Sequence, residues 1–155
     1  MYSVSAIIEE NVSFGEGTFV WYFSHVCEGA RLGRSVNVGE RSYIGTGVII
    51  GDNVKVGNNV NIYSGAIIKD NVFIGNNVSF TNVRKPNVFK KGVKLDTIVE
   101  EGVSIGANST IVGGIKIEKN AIIADGAVVV GDVPEGAWVN GNPGRIKTRD
   151  AKDKI

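Results

Sequence analysis

The stretch Ile50-Gly-Asp-Asn-Val-Lys-Val56-Gly-Asn-Asn-Val-Asn-Ile62 decides the fold. It says one six-residue phrase twice: an aliphatic anchor, Gly, two turn formers, a second apolar residue and a polar one. Gly and Asn accept positive φ at low cost, so each phrase is a short strand plus a corner. Outward from this stretch the anchor recurs every six positions, from Ile8, Phe14, Val20, Val26, Leu32, Val38 and Ile44 before it to Ile68, Ile74 and Phe80 after it. Four residues past most anchors stands a small or modest apolar residue, as in Val12, Ala30, Val36, Val48, Ala66 and Val78. Such a unit cannot bury its own aliphatic face, so successive units must stack and share one apolar column. The expectation is an all-β fold, a parallel β-helix of hexapeptide repeats. No helical period competes with it.

The register breaks after Phe80 and resumes at Val99, a spacing that is not a multiple of six, then runs through Ile105, Ile111, Ile117, Ile123 and Val129. Coils are therefore expected over 8–80 and 99–133, with 81–98 leaving the solenoid as a loop. Long loops inside compact repeats tend to carry function. After Val133-Pro134 the pattern stops, and 134–155 reads as a C-terminal cap, a short helix or tail, of the kind repeat proteins need. All 155 residues are expected to form one domain.

Lys and Arg number 17 against 16 Asp and Glu, a balance that argues against nucleic acid as partner. A single cysteine, Cys27, forms no intrachain disulfide, and neither a signal peptide nor an apolar run of membrane-spanning length is present. A cytoplasmic protein with no membrane partner is expected. The 21 glycines beside 3 prolines are too regularly spaced for a flexible linker.

The Gly-Asn-Val hexad resembles the bacterial hexapeptide-repeat transferases. More specific strings are Val20-Trp-Tyr-Phe-Ser-His-Val26, Asn58-Asn-Val-Asn-Ile-Tyr63, Phe80-Thr-Asn-Val83, Ile105-Gly-Ala-Asn-Ser-Thr-Ile-Val112 and Gly141-Asn-Pro-Gly-Arg145. These are similar to the nucleotide-sugar 3-amino N-acetyltransferases. The resemblance implies a left-handed β-helix, a homotrimer with sites between subunits, and acetyl transfer from acetyl-CoA to a dTDP- or UDP-linked amino sugar for surface polysaccharides. Two departures stand out: Ser64 where the family often has an acidic residue, and Lys94-Leu-Asp-Thr followed by Glu100-Glu101 where it often has Arg-Pro-Thr and basic residues. Both point away from a carboxylated sugar.

Acetyl transfer to an amine needs an unprotonated amine, aligned reactants and a donor near the thioester carbonyl. His25, the only histidine, is a candidate base because imidazole titrates near neutrality. An 18-residue coil stacks it in line with Tyr43, Asn61 and Ser79. Asn82 matches the family asparagine that orients the sugar amine; its other reading is a cap on the exit turn. Asn58, Asn59, Tyr63 and Arg84 are candidate substrate contacts, although Asn58 and Asn59 also read as a plain corner like Asn76-Asn77. For the coenzyme, Gly113, Gly114 and Ala124 permit close backbone approach to pantetheine, and Arg145 and Lys147 are candidate phosphate partners. No metal is expected: one histidine per chain does not supply the three-histidine zinc site of the related γ-class carbonic anhydrases. A non-catalytic lattice-binding solenoid would want a repetitive outer face, which the column from His25 to Ser79 lacks.

Overall fold

The computed structural model describes residues 1–83, 85–89, 92 and 94–147. It is a parallel solenoid of about seven turns, the hexapeptide β-helix expected from the repeat, with the left hand that the family resemblance implied. Its strands are mostly two residues long and stack in three sheets. The first sheet carries Ile7–Ile8, His25–Val26, Tyr43–Ile44, Asn61–Ile62, Ser79–Phe80, Thr110–Ile111 and Val128–Val129. The second carries Ser13–Phe14, Arg31–Leu32, Ile49–Ile50, Ala66–Ile68, Thr97–Val99 and Lys116–Ile117. The third begins at Phe19–Val20 and ends, past Ile122–Ile123, with Trp138–Asn140 and an antiparallel strand Arg145–Lys147.

From Val20 onward each anchor points inward and is sealed, whereas Ile8 and Phe14 at the first coil are only partly buried. Val20, Val26, Ile44, Ile62, Ile74, Ile105 and Ile111 are fully buried, and the second apolar residue of the hexad joins them at Ala30, Val48, Val54, Val60 and Val78. Burying one such side chain is worth about 1.5–3 kcal/mol, so the column is the main source of stability. Where the second inward position is polar, the hydroxyl is spent: Thr18 Oγ1 donates to the Gly33 carbonyl at 2.6 Å and accepts from the Val36 amide at 3.0 Å. Among the described residues no buried side-chain nitrogen or oxygen lacks a partner.

The corner turns through positive φ three residues after most anchors. Asn fills that place at Asn53, Asn59, Asn71 and Asn77, and Gly at Gly47, Gly65 and Gly126. Where the residue after the anchor is glycine, as at Gly39, Gly51 and Gly57, the reason is different. At Gly39 a methyl group would sit 2.5 Å from the Gly57 carbonyl carbon of the next coil.

Two boundaries differ from the sequence reading. Strand pairing resumes at Thr97 rather than after 98, with Val99 stacked directly on Ile68. The insertion is thus set within a single coil and is shorter than the anchor spacing alone suggested. At the other end the solenoid does not stop at Val133. Val133 bridges to Ile117 and Val139 pairs with Ile123, each sooner than a full repeat would bring it round, so a shortened coil carries the core further. The cap over the described residues is the hairpin 138–147, not a helix; residues 148–155 lie outside them. No helix among the described residues is long and apolar enough to cross a membrane.

Candidate active site

The corner between the first and second sheets breaks the regular repeat. There the inserted loop leaves after Phe80, and Ser64, Asn82 and Gly113 come to lie over one another. The Asn82 amide nitrogen donates to the Ser64 carbonyl at 3.2 Å and to the Ser64 hydroxyl at 3.1 Å. Asn82 is half-buried there, and its side-chain oxygen is an acceptor chemically suited to an N–H. Above it, a methyl group on Gly113 would lie 2.7 Å from the Thr81 carbonyl oxygen and 2.9 Å from Asn82 Cα, so only hydrogen fits. The Gly113 amide donates to Thr81 Oγ1 at 3.0 Å, and the Gly114 amide, at φ +81°, to Thr97 Oγ1 at 3.1 Å. The returning loop closes the corner: the Leu95 amide donates to the Asn82 carbonyl at 3.0 Å, and the Thr97 amide to the Gly65 carbonyl at 2.9 Å.

Tyr63 stands at the same corner, 44% exposed, its ring 5.5 Å from that of Tyr43. Tyr43 in turn meets His25 edge-on at 5.6 Å. The stack of His25, Tyr43, Asn61 and Ser79 is the register the 18-residue period predicts. It also separates His25 from the level of Asn82 by three coils, about 14 Å along the axis at the ordinary strand spacing.

His25 has a partner that sequence spacing left unnoticed. Its Nε2 lies 2.6 Å from Glu9 Oε1 and 3.9 Å from Cys27 Sγ, while Glu9 Oε2 accepts the Glu28 amide at 2.7 Å. That backbone N–H, then His25, hold the Glu9 carboxyl below its usual range. Burial pushes the Cys27 thiol up, and a hydrogen bond with Cys27 together with burial pushes Tyr43 up to about 12. Glu9 was legible in principle, since it lies one 18-residue coil before Cys27.

The remaining candidates sit elsewhere. Asn58 Oδ1 accepts the Glu40 amide at 2.9 Å, the Asn58 amide donates to Asn76 Oδ1 at 2.9 Å, and Asn59 takes the positive-φ place. Both belong to the corner between the third and first sheets. Ala124 donates its amide to the Val139 carbonyl at 2.8 Å beside the terminal hairpin. Arg145 and Lys147 lie exposed on that hairpin, where Arg145 borders a groove of about 260 Å³ shared with Asp132 and Val139. Arg84 lies outside the described residues. The structure therefore joins Asn82, Tyr63, Gly113 and Gly114 at one corner, and leaves Asn58, Asn59, Ala124, Arg145 and Lys147 off it.

Comparison with known proteins bears on the repeat first. A model of the bacterial transferase hexapeptide (six repeats) matches residues 47–82 and 96–131, interrupted where the loop departs. A second, the hexapeptide repeat of succinyl-transferase, matches 29–64. Together they span more than half of the chain. A 2,3,4,5-tetrahydropyridine-2,6-dicarboxylate N-acetyltransferase of Clostridium perfringens is 48% identical over 62 residues, 39% of this chain and 26% of that protein. The chain thus spans about a quarter of the length of this relative. Among solved structures, a hexapeptide-repeat-containing acetyltransferase of Vibrio cholerae, complexed with acetyl coenzyme A, aligns with a TM-score of 0.60 at 27% identity over 70% of this chain and 68% of that one. Soybean serine acetyltransferase, complexed with serine, aligns with a TM-score of 0.51 at 33% identity over 68% of this chain and 40% of that one.

Proposed function

We propose that this chain, which belongs to the hexapeptide-repeat family of bacterial transferases, is an acetyl-CoA-dependent N-acetyltransferase. Its acceptor is the C3 amine of a dTDP- or UDP-linked deoxyamino sugar destined for surface polysaccharide, and it works as a cytoplasmic homotrimer. The observation that carries the reading is Asn82, its nitrogen fixed by both oxygens of Ser64 at the corner where the inserted loop interrupts the repeat. With its nitrogen so held, Asn82 offers its oxygen to an amine N–H while the nitrogen lone pair attacks the thioester carbonyl; the C–N bond forms as the C–S bond breaks, and coenzyme A leaves as the thiolate that takes up the proton the amine gives up. Orientation of this sort supplies much of an acyl-transfer rate without a strong base.

Gly113 and Gly114, stripped of side chains beside Asn82, give the pantetheine arm backbone to run along. Arg145 and Lys147 offer cations to the coenzyme phosphates. The relatives that share the repeat, one an N-acetyltransferase and one complexed with acetyl coenzyme A, support acetyl as the group carried. Ser64 in place of an acid supports a neutral sugar.

A second reading rests on the 2.6 Å pair of His25 and Glu9: an imidazole beside a carboxylate suits deprotonation of a hydroxyl, and the acceptor would then be serine or a sugar alcohol. Thiol release from acetyl-CoA, measured against a panel of dTDP- and UDP-linked 3-amino and 4-amino sugars with serine and a sugar alcohol alongside, separates the two. Turnover of one nucleotide-linked amine that survives His25→Ala is expected. Turnover of hydroxyl acceptors alone, abolished by His25→Ala, overturns the amine reading.

A further inference from the structure

Glu9, His25 and Cys27 each present a ligand atom within 4.8 Å of the other two, at the second coil of the solenoid. We infer that these three side chains form a binding site for a soft divalent cation of the zinc type, which staples the first coil to the second.

The donor set is mixed imidazole, thiolate and carboxylate, the combination zinc takes, and the fourth tetrahedral position is left to water. Zinc bonds of about 2.3 Å to sulfur and about 2.0–2.2 Å to nitrogen or oxygen put tetrahedral neighbours about 3.4–3.6 Å apart. Cys27 Sγ and His25 Nε2, 3.9 Å apart, need to close by only a few tenths of an ångström. Glu9 Oε1, 2.6 Å from Nε2, must open by less than an ångström, and its side chain is 40% exposed and has room to turn. Glu9 Oε2 is anchored by the Glu28 amide at 2.7 Å, so Oε1 is the ligand oxygen. The Tyr43 ring packs edge-on against the imidazole, centroids 5.6 Å apart at 89°, and Cys27 is buried. Outer partners of this kind orient metal ligands.

The place in the fold gives the site a purpose. Glu9 belongs to the first coil, whose strand Ile7–Ile8 pairs with only one neighbour. His25 and Cys27 belong to the next. A repeat protein must protect its end coils, and a metal bridging the two does so without enlarging the core. The site stands about 14 Å along the axis from the level of Asn82, so the inference does not rest on the acetyl-transfer reading.

The experiment titrates the full-length, metal-stripped protein with Co(II) alone and reads thiolate-to-metal charge-transfer absorption. It then repeats thermal unfolding with and without equimolar Zn(II). The expected result is one Co(II) per chain, a charge-transfer band that Cys27→Ser abolishes and Glu9→Gln weakens, and a midpoint raised by Zn(II) in the parent protein but not in His25→Ala. If Cys27→Ser fails to fold, His25→Ala, at a side chain 35% exposed, carries the same comparison. No charge-transfer band, a band that survives Cys27→Ser or His25→Ala, or an unmoved midpoint with Zn(II) overturns the site.

Discussion

At the corner of Asn58 and Asn76, each side-chain oxygen accepts the backbone amide of the coil before it, Glu40 for the first and Asn58 for the second, both at 2.9 Å. At the corner of Ser64 and Asn82 the donor is instead the side chain, whose nitrogen reaches back to Ser64. One hexad builds both corners. In the first the polar atoms are consumed by the ladder that holds coil to coil; in the second they hold one side-chain amide in place by its nitrogen. The inserted loop is what separates them, because a chain that must leave and return cannot keep the backbone ladder at that point.

Four measurements break or sharpen this contrast. Asn82→Ala is expected to lower kcat/KM for a nucleotide-linked amine by about 100-fold, the loss of a hydrogen bond worth roughly 2–3 kcal/mol in the transition state, with the fold intact. An unchanged rate would make the Ser64 corner structural like its neighbour. Next in size is Gly39→Ala at the ladder corner, where the new methyl meets backbone of the following coil at 2.5 Å. Denaturant unfolding should show a loss of about 1–3 kcal/mol, and full stability would mean that the coils have slack. Asn76→Ala removes one acceptor from the ladder and should cost about 1 kcal/mol with normal turnover; a deficit in turnover instead would extend the site to this corner.

The smallest effect concerns acid at the third corner, between the second and third sheets. The Arg34 amide, 2.8 Å from Asp52, and then the Arg34 guanidinium hold the Asp52 carboxyl below its usual range. A carboxyl depressed by folding contributes stability above its unfolded value, about 3.9, and loses it as pH falls through the lower folded value. Melting temperature followed downward through that window should therefore fall less steeply in Asp52→Asn than in the parent. Parallel slopes would show the pair to be too solvated to matter.

Much of the molecule was legible before any coordinates. Anchors at six-residue spacing placed Ile44, Ile62 and Ile74 in the core, and the 18-residue period placed His25, Tyr43, Asn61 and Ser79 in one stack. The exit point of the loop was also named from sequence, and so were Tyr63, Asn82, Gly113 and Gly114, but as separate substrate, catalytic and coenzyme candidates rather than as one corner. The last coil was not: a coil slightly shorter than the repeat hides Val139 from any fixed period, and its closing hairpin is antiparallel, a pairing that stacked hexads never use.

What the sequence determined by itself is the parallel β-helix, because the aliphatic column is a periodic property of the chain and admits one way of being buried. What only the tertiary structure decided is which polar groups meet. Spacing sets Ser64 and Asn82, like Glu9 and Cys27, one 18-residue coil apart, but that the Asn82 nitrogen turns to Ser64 and Glu9 reaches His25 is a matter of side-chain direction, which only contacts between coils select.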